Sequence, residues 1–477
     1  MRTLILALVV LLFASVLHSC LSEESYSTSA RHGLESVDTL DFDTVISGET
    51  SSTRSFWLYN NNGEDLRIVS TTLAQGTSSD FGVNVDGTYI DGSSTQFFDI
   101  RKNDSIKVFV QVSPTAKDSD LPVPTDDVLS FTLAGGARHD VILKAMSQDM
   151  IMISGAVYTA DTTLSPTRPL RIMDSIIVAE GATLTIAPGT RMYFHLNAGI
   201  KVRGTLRAEG TIENPIKMNG DRLDYMFEKQ PYSRIPGQWG GITFAAESFG
   251  NVIDFCHIES GTTGIRCDSS DVANEKIRIE NSIIHNMEAD GISLKHVNAY
   301  IGNSQITNAG GNCVSIVGGH YTMIHNTIAN FYPFSINRGI ALYFANNSAG
   351  VSQPLTAANF INCIITGYST DEILGSNDNV SAFEYLFSHS LLNTPRDTTD
   401  TRIINCQWDT SSNAVAREKN FTPAFDLTTL TFSFTPDSAS LAIGNADYAT
   451  TLSTYPQDLT GKSRTTTGKS DIGCYEH

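Results

Sequence analysis

The chain has 477 residues with a formal net charge of −19, and only 17% of its residues are charged. This length is enough for two or three domains. The acidic balance argues against nucleic acid as a partner, because phosphates require Lys and Arg. Acidity alone does not establish a metal site, so we predict no cofactor, with Ca²⁺ left open. The 36 Gly residues favour β-structure with many turns over helices.

The first residues have the pattern of a signal peptide. Arg2 is followed by an apolar run over residues 4–16, which ends in Leu17-His18-Ser19-Cys20. We therefore exclude residues 1–19 from the fold. The four residues that end at Cys20 resemble the bacterial lipobox, which implies that Cys20 is acylated and holds the chain to a membrane. The alternative is a plain secretory signal in which Cys20 is incidental.

Residues 20–37 are polar and lack apolar periodicity, which predicts a flexible tether. The sequence Leu21-Ser22-Glu23-Glu24 within it resembles the acidic signal that sends lipoproteins of the Bacteroidetes type to the cell surface. The resemblance implies a lipid-anchored, extracytoplasmic protein of the outer membrane or cell surface.

Residues 38–149 are predicted to form a separate, small immunoglobulin-like β-sandwich. Short alternating runs are separated by polar turns such as Asn60-Asn61-Asn62-Gly63, which is typical of that fold. The segments 40–48, 57–60 and 66–68 resemble Hydin-like immunoglobulin-like domains. Asp43 stands where that family often has Gly.

A phrase that repeats at a fixed spacing marks residues 150–420. It reads Ile279-Glu280-Asn281, Ile301-Gly302-Asn303 and Ile324-His325-Asn326, so the Asn residues lie 22 and 23 positions apart. A period of this size indicates a solenoid, and the apolar–polar alternation indicates strands. The pattern resembles the right-handed parallel β-helix repeat. We therefore predict an all-β chain with a single-stranded β-helix after the sandwich; an ordinary sandwich would not keep the period.

The repeated Asn is expected at a left-handed bend, where amides of stacked coils can bond to one another. The position after the Asn is interpreted as one that faces the interior and takes a small side chain, which would explain the Cys residues found there. The alternative is that the Cys residues form a disulfide framework, which secretion would permit. That position is occupied by Ser282, Ser304, Thr327, Cys256, Cys363 and Cys406. The 36-residue gap from Asn326 to Asn362 predicts one extra loop, at residues 343–354.

Residues 221–237 interrupt the repeat, and an insertion in a solenoid maps to a surface loop, often on a binding face. The candidate ligand-binding residues of this loop are Tyr225, Phe227, Tyr232 and Arg234. Loop aromatics can stack on sugar rings, but they can equally pack on the neighbouring coil. Trp239, which follows, is predicted to lie inside the solenoid.

No catalytic residue is predicted. Clustered Asp residues with Gly-His-Gly and Arg-x-Lys, the polygalacturonase pattern, do not occur, and neither does a G-x-S-x-G elbow. A lyase needs a base beside carboxylates that bind Ca²⁺ and neutralise the substrate acid. The nearest charged patch consists of Glu288, Asp290, Lys295 and His296, with Arg266 and Arg338 on adjacent coils. Such residues are more often solvated, so Glu288, Asp290 and Lys295 are retained only as candidate ligand-binding residues.

The last block, residues 421–477, ends in Asp471-Ile472-Gly473-Cys474-Tyr475-Glu476. It resembles the closing module of secreted bacterial β-helix proteins, with Cys474 in place of Ala. The resemblance implies a cap on the last coil.

Three functions remain open at this point. The first hypothesis is a surface lipoprotein that binds glycan or another surface partner through one face of the β-helix, without catalysis. The second is a polysaccharide lyase or glycoside hydrolase acting on acidic polysaccharide. The third is a structural spacer.

Overall fold

The computed structural model describes residues 25–227, 230–411, 413–421, 425–426 and 431–477. These form two compact units. The first takes the described residues up to Ala116 together with Val123–Ser147, and the second takes Lys117–Pro122 and Gln148–His477. Within the described residues, no helix is long and apolar enough to span a membrane.

The first unit is a β-sandwich. Its strands are β1 (Thr39–Ile46), β2 (Arg54–Asn60), β3 (Leu66–Leu73), β4 (Phe81–Val85), β5 (Thr88–Ile90), β6 (Ser93–Ser94), β7 (Phe98–Ile100), β8 (Asp104–Val112), β9 (Val123–Leu133) and β10 (Arg138–Gln148). One sheet has the order β1-β10-β9-β3-β6, with β7 also paired to β3, and the other has the order β2-β8-β4-β5. A 3₁₀ turn, Gly76–Ser78, lies between β3 and β4.

The strands of the sandwich alternate between core and solvent, as strands with one buried face must. In β8, Ile106, Val108 and Val110 are buried, whereas Phe109 between them is 39% exposed. The inward side chains of both sheets meet in one hydrophobic core. The predicted β-sandwich is therefore present.

Residues 25–37 lie against this sandwich. The backbone N–H of Ser27 donates to Asp65 O at 2.9 Å, and Glu35 and Tyr59 exchange two backbone hydrogen bonds. Leu34 is buried in the sandwich core. The predicted flexible tether over residues 20–37 is therefore wrong for residues 25–37, because Leu34 and the backbone bonds hold them in place. Residues 20–24 lie outside the described residues.

The second unit is a right-handed parallel β-helix, as predicted. The coils contribute strands in turn to three parallel sheets of 11, 9 and 10 strands, which we call sheets 1, 2 and 3 in chain order. The coil that begins at Leu391 has no described strand in sheet 2. Sheet 1 contains Ile151–Ile153, Leu170–Ile172, Arg191–Phe194, Ile216–Gly220, Cys256–Glu259, Ile283–Met287, Gln305–Ala309, Thr327–Asn330, Ile364–Gly367, Leu391–Leu392 and Gln407–Trp408.

The other two sheets complete each coil. Sheet 2 contains Val157–Tyr158, Ile176–Val178, Gly199–Val202, Gly241–Phe244, Ile265–Cys267, Ile292–Lys295, Val314–Val317, Leu342–Ala345 and Ile373–Ser376. Sheet 3 contains Thr162–Leu164, Thr183–Ile186, Thr205–Glu209, Asn251–Asp254, Glu275–Glu280, Asn298–Gly302, Gly319–Ile324, Leu355–Ile361, Leu386–Ser388 and Ile403–Ile404. Alternate side chains of the three sheets fill a single core inside the coils.

The bend from sheet 3 to sheet 1 corrects the alignment of the repeated phrase. Gly302 pairs with Ile324 and Gln305 pairs with Thr327, so His325, and not Asn326, stacks on Asn303. The two spacings are therefore both 22 residues. The stacked bend residues all have left-handed φ values, between 45° and 55°, at Phe255, Asn281, Asn303, His325, Asn362, His389 and Asn405.

The predicted bonding from coil to coil occurs at this bend. Asn303 Nδ2 donates to Asn281 Oδ1 at 2.8 Å, and Asn362 Nδ2 donates to His325 Nε2 at 3.0 Å. Thus His takes the place of Asn in the ladder. His is one of the few residue types that tolerate a left-handed conformation.

The next position forms a second, inner ladder. Ser282 Oγ accepts from Cys256 N at 3.0 Å, Ser304 Oγ accepts from Ser282 N at 3.1 Å, and Asn326 Oδ1 accepts from Ser304 N at 3.0 Å. Asn326 therefore occupies the interior position that the sequence assigned to Thr327. All six described Cys residues are free thiols, five of them buried, in agreement with small interior positions.

The long coil carries two insertions where the sequence predicts one. Residues 331–341 lie between its strands of sheets 1 and 2, and residues 346–354 lie between its strands of sheets 2 and 3. The second insertion includes the hairpin Asn347–Ser348 with Val351–Ser352 and overlaps the predicted loop. The first was missed because its Phe and Tyr residues look like part of a strand.

The C-terminal segment, residues 431–477, lies along the side of the coils and not across the last one. Arg464 Nη2 donates to Asn303 Oδ1 at 3.0 Å, and Gly473 N donates to Asn362 O at 2.9 Å. The expected cap on the last coil is corrected accordingly. The outer face of these coils is apolar and needs cover; it forms a second core that contains Ala329, Phe331, Ile364, Leu391, Phe421, Phe434, Ala442 and Ile472.

Two short helices belong to the C-terminal part, α1 (Ala414–Glu418) and α2 (Tyr448–Thr454). Asp447 caps α2, because its side chain accepts from Thr450 N at 3.3 Å. Thr451 of α2 contacts the solenoid through a 2.8 Å hydrogen bond between its Oγ1 and His325 Nε2. Between the two helices in the chain, Phe425–Asp426 pairs with Thr431–Phe432 as an antiparallel hairpin.

Candidate functional site

The outer face of sheet 1 changes character along the solenoid. One row of stacked outward residues runs Lys217, His257, Ile283, Gln305, Thr327, Ile364 and Leu391. The neighbouring row runs Glu259, His285, Thr307, Ala329 and Thr366. The early coils thus present mostly ionisable and amide groups, whereas the later coils present Ala, Ile, Leu and Thr and no ionisable group in these rows.

The insertion of residues 221–237 lies over the polar part of this face. It forms the hairpin Tyr225–Phe227 with Gln230–Pro231 and the 3₁₀ turn Tyr232–Arg234. Ser260 Oγ donates to Ser233 O, and Asn286 Nδ2 donates to Arg234 O, both at 2.5 Å. These two bonds fasten the turn to two successive coils.

A cleft remains between the insertion, sheet 1 and the C-terminal segment. We call it the sheet-1 cleft; it consists of two cavities that share Glu259. The larger cavity has a volume of about 450 Å³ and is lined by Gln230, Arg234, Glu259, Ile283, His285, Asn286, Gln305, Asn308, Pro333, Phe334, Thr431, Phe432 and Tyr475. The smaller has a volume of about 300 Å³ and is lined by Tyr193, Lys217, Met218, Asn219, Leu223, Ser233, His257 and Glu259.

Hydrogen bonds fix the polar floor of the larger cavity. Tyr475 Oη donates to Gln305 Oε1 at 2.6 Å, and Gln305 Nε2 donates to Thr307 Oγ1 at 2.8 Å. Thr307 Oγ1 and His285 Nδ1 form the next hydrogen bond, at 2.8 Å. These bonds hold Gln305, Thr307 and the imidazole of His285 in fixed positions.

Burial sets the protonation state of this imidazole. It lowers the pKa of His285 to about 4, and the positive charge of Arg234 acts in the same direction. The rings of Phe432 and Phe434 lie 6.3 and 6.2 Å from the imidazole, centre to centre. The imidazole of His285 is therefore neutral at physiological pH.

Glu259 stands where the two cavities meet. Burial raises the pKa of its carboxyl group, while the charges of Lys217 and Arg234 act in the opposite direction. In the smaller cavity, burial lowers the pKa of His257, and the charge of Lys217 lowers it further. The cleft therefore combines a carboxyl group, two neutral imidazoles and two cations.

Asn308 supplies a donor that the described residues leave unused. The side chain is 1% exposed, and its Oδ1 accepts from Phe331 N at 2.9 Å. Its Nδ2 has no hydrogen-bond partner within the described part of the chain. A buried, unpaired donor costs free energy, and a ligand in the larger cavity could accept from it.

The structure separates the predicted candidate residues. Of the loop residues, Arg234 lines the cleft, Phe227 is 69% exposed, and Tyr232 stacks on Arg222 with the guanidinium 3.9 Å from the ring centre. Tyr225 lies in the hairpin strand and is partly exposed.

The charged candidates lie elsewhere on the coil. Asp290 is held by a 2.8 Å hydrogen bond from Asn312 N to its Oδ1, and burial raises its pKa. Glu288 is exposed next to Gly237. Lys295 is exposed at the end of a sheet 2 strand. These three do not line the cleft, and their role in ligand binding stays a prediction.

Sequence reasoning missed Lys217, His257, Glu259 and His285. Lys217 and His257 share an outward row of sheet 1 with Ile364 and Leu391, and this change along the row was a signal. The row of Glu259 and His285 continues with Thr307, Ala329 and Thr366 and gives no such contrast. Trp239, by contrast, lies inside the solenoid as predicted. It is fully buried, stacked on Phe194 at 4.3 Å between ring centres, and its Nε1 donates to Glu259 O at 2.8 Å.

Two further predictions concern metal binding and lipidation. Within the described ranges, no group of three or more His, Cys, Asp or Glu side chains could hold a metal ion. Cys20, the predicted lipidation site, lies outside the described residues.

Comparison with known proteins supports the solenoid. The family model described as a right handed beta helix region matches residues 171–330. No curated protein matches the chain.

Three solved structures resemble parts of the chain. A PapD-like domain of human CEP192 has 14% identity, covers 27% of this chain and 93% of its own, and has a TM-score of 0.18. The A-module of the mannuronan C-5 epimerase AlgE6 from Azotobacter vinelandii has 12% identity, covers 56% and 92%, and has a TM-score of 0.24. A family 123 glycoside hydrolase from Clostridium perfringens has 8% identity, covers 25% and 26%, and has a TM-score of 0.18. At these TM-scores the likenesses carry no conclusion about activity.

Proposed function

We propose that this protein binds a glycan in the sheet-1 cleft, without catalysis. The observation that carries the proposal is the larger cavity, whose volume of about 450 Å³ lies in the range of small-molecule sites. Its donors and acceptors are held in place by hydrogen bonds, as on Gln305 and His285. Phe334, 44% exposed, adds an aromatic wall. Fixed amides beside an exposed ring suit the alternating polar and apolar surfaces of a sugar.

A glycan array probed with the chain lacking residues 1–19 tests this proposal. We expect saccharide binding that is weakened about tenfold by Arg234→Met, which removes a charged hydrogen-bond donor from the cavity. Lys201→Met is the matched control, because it removes the same charge from an exposed position of a sheet 2 strand outside the cleft. An array without a binding saccharide, or equal losses in both variants, would contradict the proposal.

The smaller cavity favours a second candidate, a polysaccharide lyase. A lyase needs a base and a cation that neutralises the substrate carboxylate. His257 is kept neutral by burial, and Lys217 lies in the same cavity. Acidic polysaccharides incubated with the protein would then gain the ultraviolet absorbance of unsaturated uronates, and His257→Gln would abolish the gain. We expect no such absorbance; if it appears, the lyase replaces the binding protein.

The proposed function includes a membrane anchor at Cys20, which the lipobox resemblance supports. Cys20→Ala is expected to move the protein from the membrane fraction to the soluble fraction. A variant that stays membrane-bound would remove the lipid anchor from the proposal, but it would leave the cleft unaffected.

A further inference from the structure

We propose that the outer face of the sheet β2-β8-β4-β5 in the first unit binds an acidic saccharide. The sugar ring lies on Tyr89 and Phe109, and its carboxylate faces Lys107. This site is distinct from the sheet-1 cleft and does not depend on the function proposed for it. We call it the sandwich site.

Four aromatic side chains are exposed on this one face. Trp57 and Tyr59 are each 43% exposed, Phe109 is 39% exposed, and Tyr89 is 65% exposed. All four occupy outward positions of strands whose inward residues are buried. Aromatic side chains grouped on one exposed surface indicate a binding site more often than single exposed residues do.

The face has a shallow hollow of about 380 Å³. The ring of Tyr89 lies over Gly82, with its nearest atom 3.6 Å from where a Cβ would stand. Because Gly82 has no side chain, Tyr89 can lie low on the sheet and keep one ring face toward solvent. Phe109 lines the same hollow. The two rings offer the apolar stacking surface that the C–H face of a pyranose requires.

Two amide side chains of the hollow are fixed and still have hydrogen-bonding groups to offer. Gln111 Nε2 donates to Thr53 Oγ1 at 2.8 Å, which leaves Gln111 Oε1 as an acceptor. Asn84 Oδ1 accepts from Gly87 N at 2.9 Å, which leaves Asn84 Nδ2 as a donor. An acceptor and a donor beside stacked rings match the hydroxyl groups of a sugar.

The charge of this face selects an acidic ligand. Lys107 is the charged side chain at the outward positions of the four described strands. Its Nζ lies 5.3 Å from the ring centre of Trp57 and 5.2 Å from that of Phe109, so cation–π contacts hold it beside the hollow. The acidic residues behind the net charge of −19 do not prevent an acidic ligand from binding here when they lie far from the site. Salt screens charges over roughly 8 Å at physiological ionic strength.

Trp57 provides a built-in probe. Trp239 is fully buried and Trp408 half-buried in the second unit, whereas Trp57 lies on the proposed site. We would titrate the chain lacking residues 1–19 with hexamers of galacturonate, mannuronate and glucuronate and follow tryptophan fluorescence. The methyl-esterified hexamers serve as neutral probes of the same shape. For the variants, isothermal titration calorimetry measures the affinity, because a substitution can itself change the tryptophan fluorescence.

At least one uronate hexamer is expected to change the fluorescence, and Trp57→Phe should abolish the change. Tyr89→Ala should weaken binding of the acid and its methyl ester about tenfold by removing the stacking surface. Lys107→Met should weaken only the acid, bringing its affinity to that of the ester. Tyr59→Ala, on the same face but outside the hollow, and Arg234→Met, in the sheet-1 cleft, should leave the affinity within about twofold.

Three results would overturn the proposal. They are no binding of any of the three hexamers, equal loss of acid and ester in Lys107→Met, and loss of binding in Arg234→Met but not in Tyr89→Ala. The last result would place the saccharide in the sheet-1 cleft alone, so the two proposals can fail separately. Circular dichroism of each variant confirms that the sandwich is folded.

Discussion

Replacing Asn326 by Ala should destabilise the solenoid by about 2–4 kcal/mol. The side chain is fully buried; its Oδ1 accepts from Ser304 N at 3.0 Å, and its Nδ2 donates to Ile301 O at 2.8 Å. Alanine would leave both backbone groups without that partner inside the coils. Each buried group left unpaired costs about 1–3 kcal/mol, and the carbonyl less than the N–H.

Asn326→Ser is the matched control. The coils before it have Ser282 and Ser304 at this position, where each hydroxyl accepts from the N–H of the coil before and donates to a carbonyl of its own coil. A Ser at 326 can do the same, so only the bond to Ile301 is lost. The expected cost is about 1 kcal/mol.

Urea unfolding in a Trp57→Phe background measures the difference. In that background the fluorescence comes from Trp239 and Trp408, which both belong to the second unit. The unfolding midpoint should decrease in the order parent, Asn326→Ser, Asn326→Ala, at an unchanged slope. Equal midpoints for the parent and Asn326→Ala would refute the interior placement of Asn326 and return it to the outward bend.

Two other substitutions test buried groups of the second unit. Burial raises the pKa of Glu372 from 4.5 to about 7, although Ser369 N and Ala341 N donate to its carboxylate. The folded state therefore binds this proton more tightly than the unfolded state does. The resulting stabilisation of the fold, about 3 kcal/mol, should be lost as the pH rises from 4.5 to 7. Urea midpoints of Glu372→Gln should therefore fall less than those of the parent as pH rises through that window; parallel curves would contradict the assignment. Arg464→Met should loosen the C-terminal segment by about 3–5 kcal/mol, because it breaks the largely buried ion pair with Glu476 and removes the donor to Asn303 Oδ1. Limited proteolysis should then cut that segment sooner than in the exposed control Lys462→Met, and equal rates would refute the docking role.

The solenoid could be predicted from the sequence, whereas its register at the third copy of the repeated phrase could not. A 22-residue spacing and alternating strands are enough for the fold. At residues 325 and 326, however, two ladders compete for Asn, because the outer bend needs a residue that tolerates left-handed φ and the inner position needs a side-chain acceptor. His325 satisfies the first and Asn326 the second. Matching Asn to Asn therefore shifted the alignment by one residue.

The candidate site was predictable only in part. The insertion of residues 221–237 stands out because it breaks the period, and Arg234 does line the cleft. The face that the insertion covers depends on where Ser260 and Asn286 present their hydrogen-bonding groups to its backbone. Such long-range contacts leave no periodic signal. Glu259 and His285 were absorbed into the repeat for the same reason, since their spacing is that of ordinary strand residues.

The docked C-terminal segment and the cleft depend on one another through Tyr475. The later coils of sheet 1 present Ile364 and Leu391 outward, and the segment covers them in a common core. The polar coils before them are left uncovered by that core, and Tyr475 stands at the boundary, where its hydroxyl orients Gln305 and, through Thr307, His285. The packing of the C-terminal segment on the apolar coils therefore also places Tyr475 in the wall of the larger cavity. It follows that the C-terminal segment is part of the proposed binding site, and that, if a glycan binds there as proposed, loosening the segment should weaken its binding as well as stability.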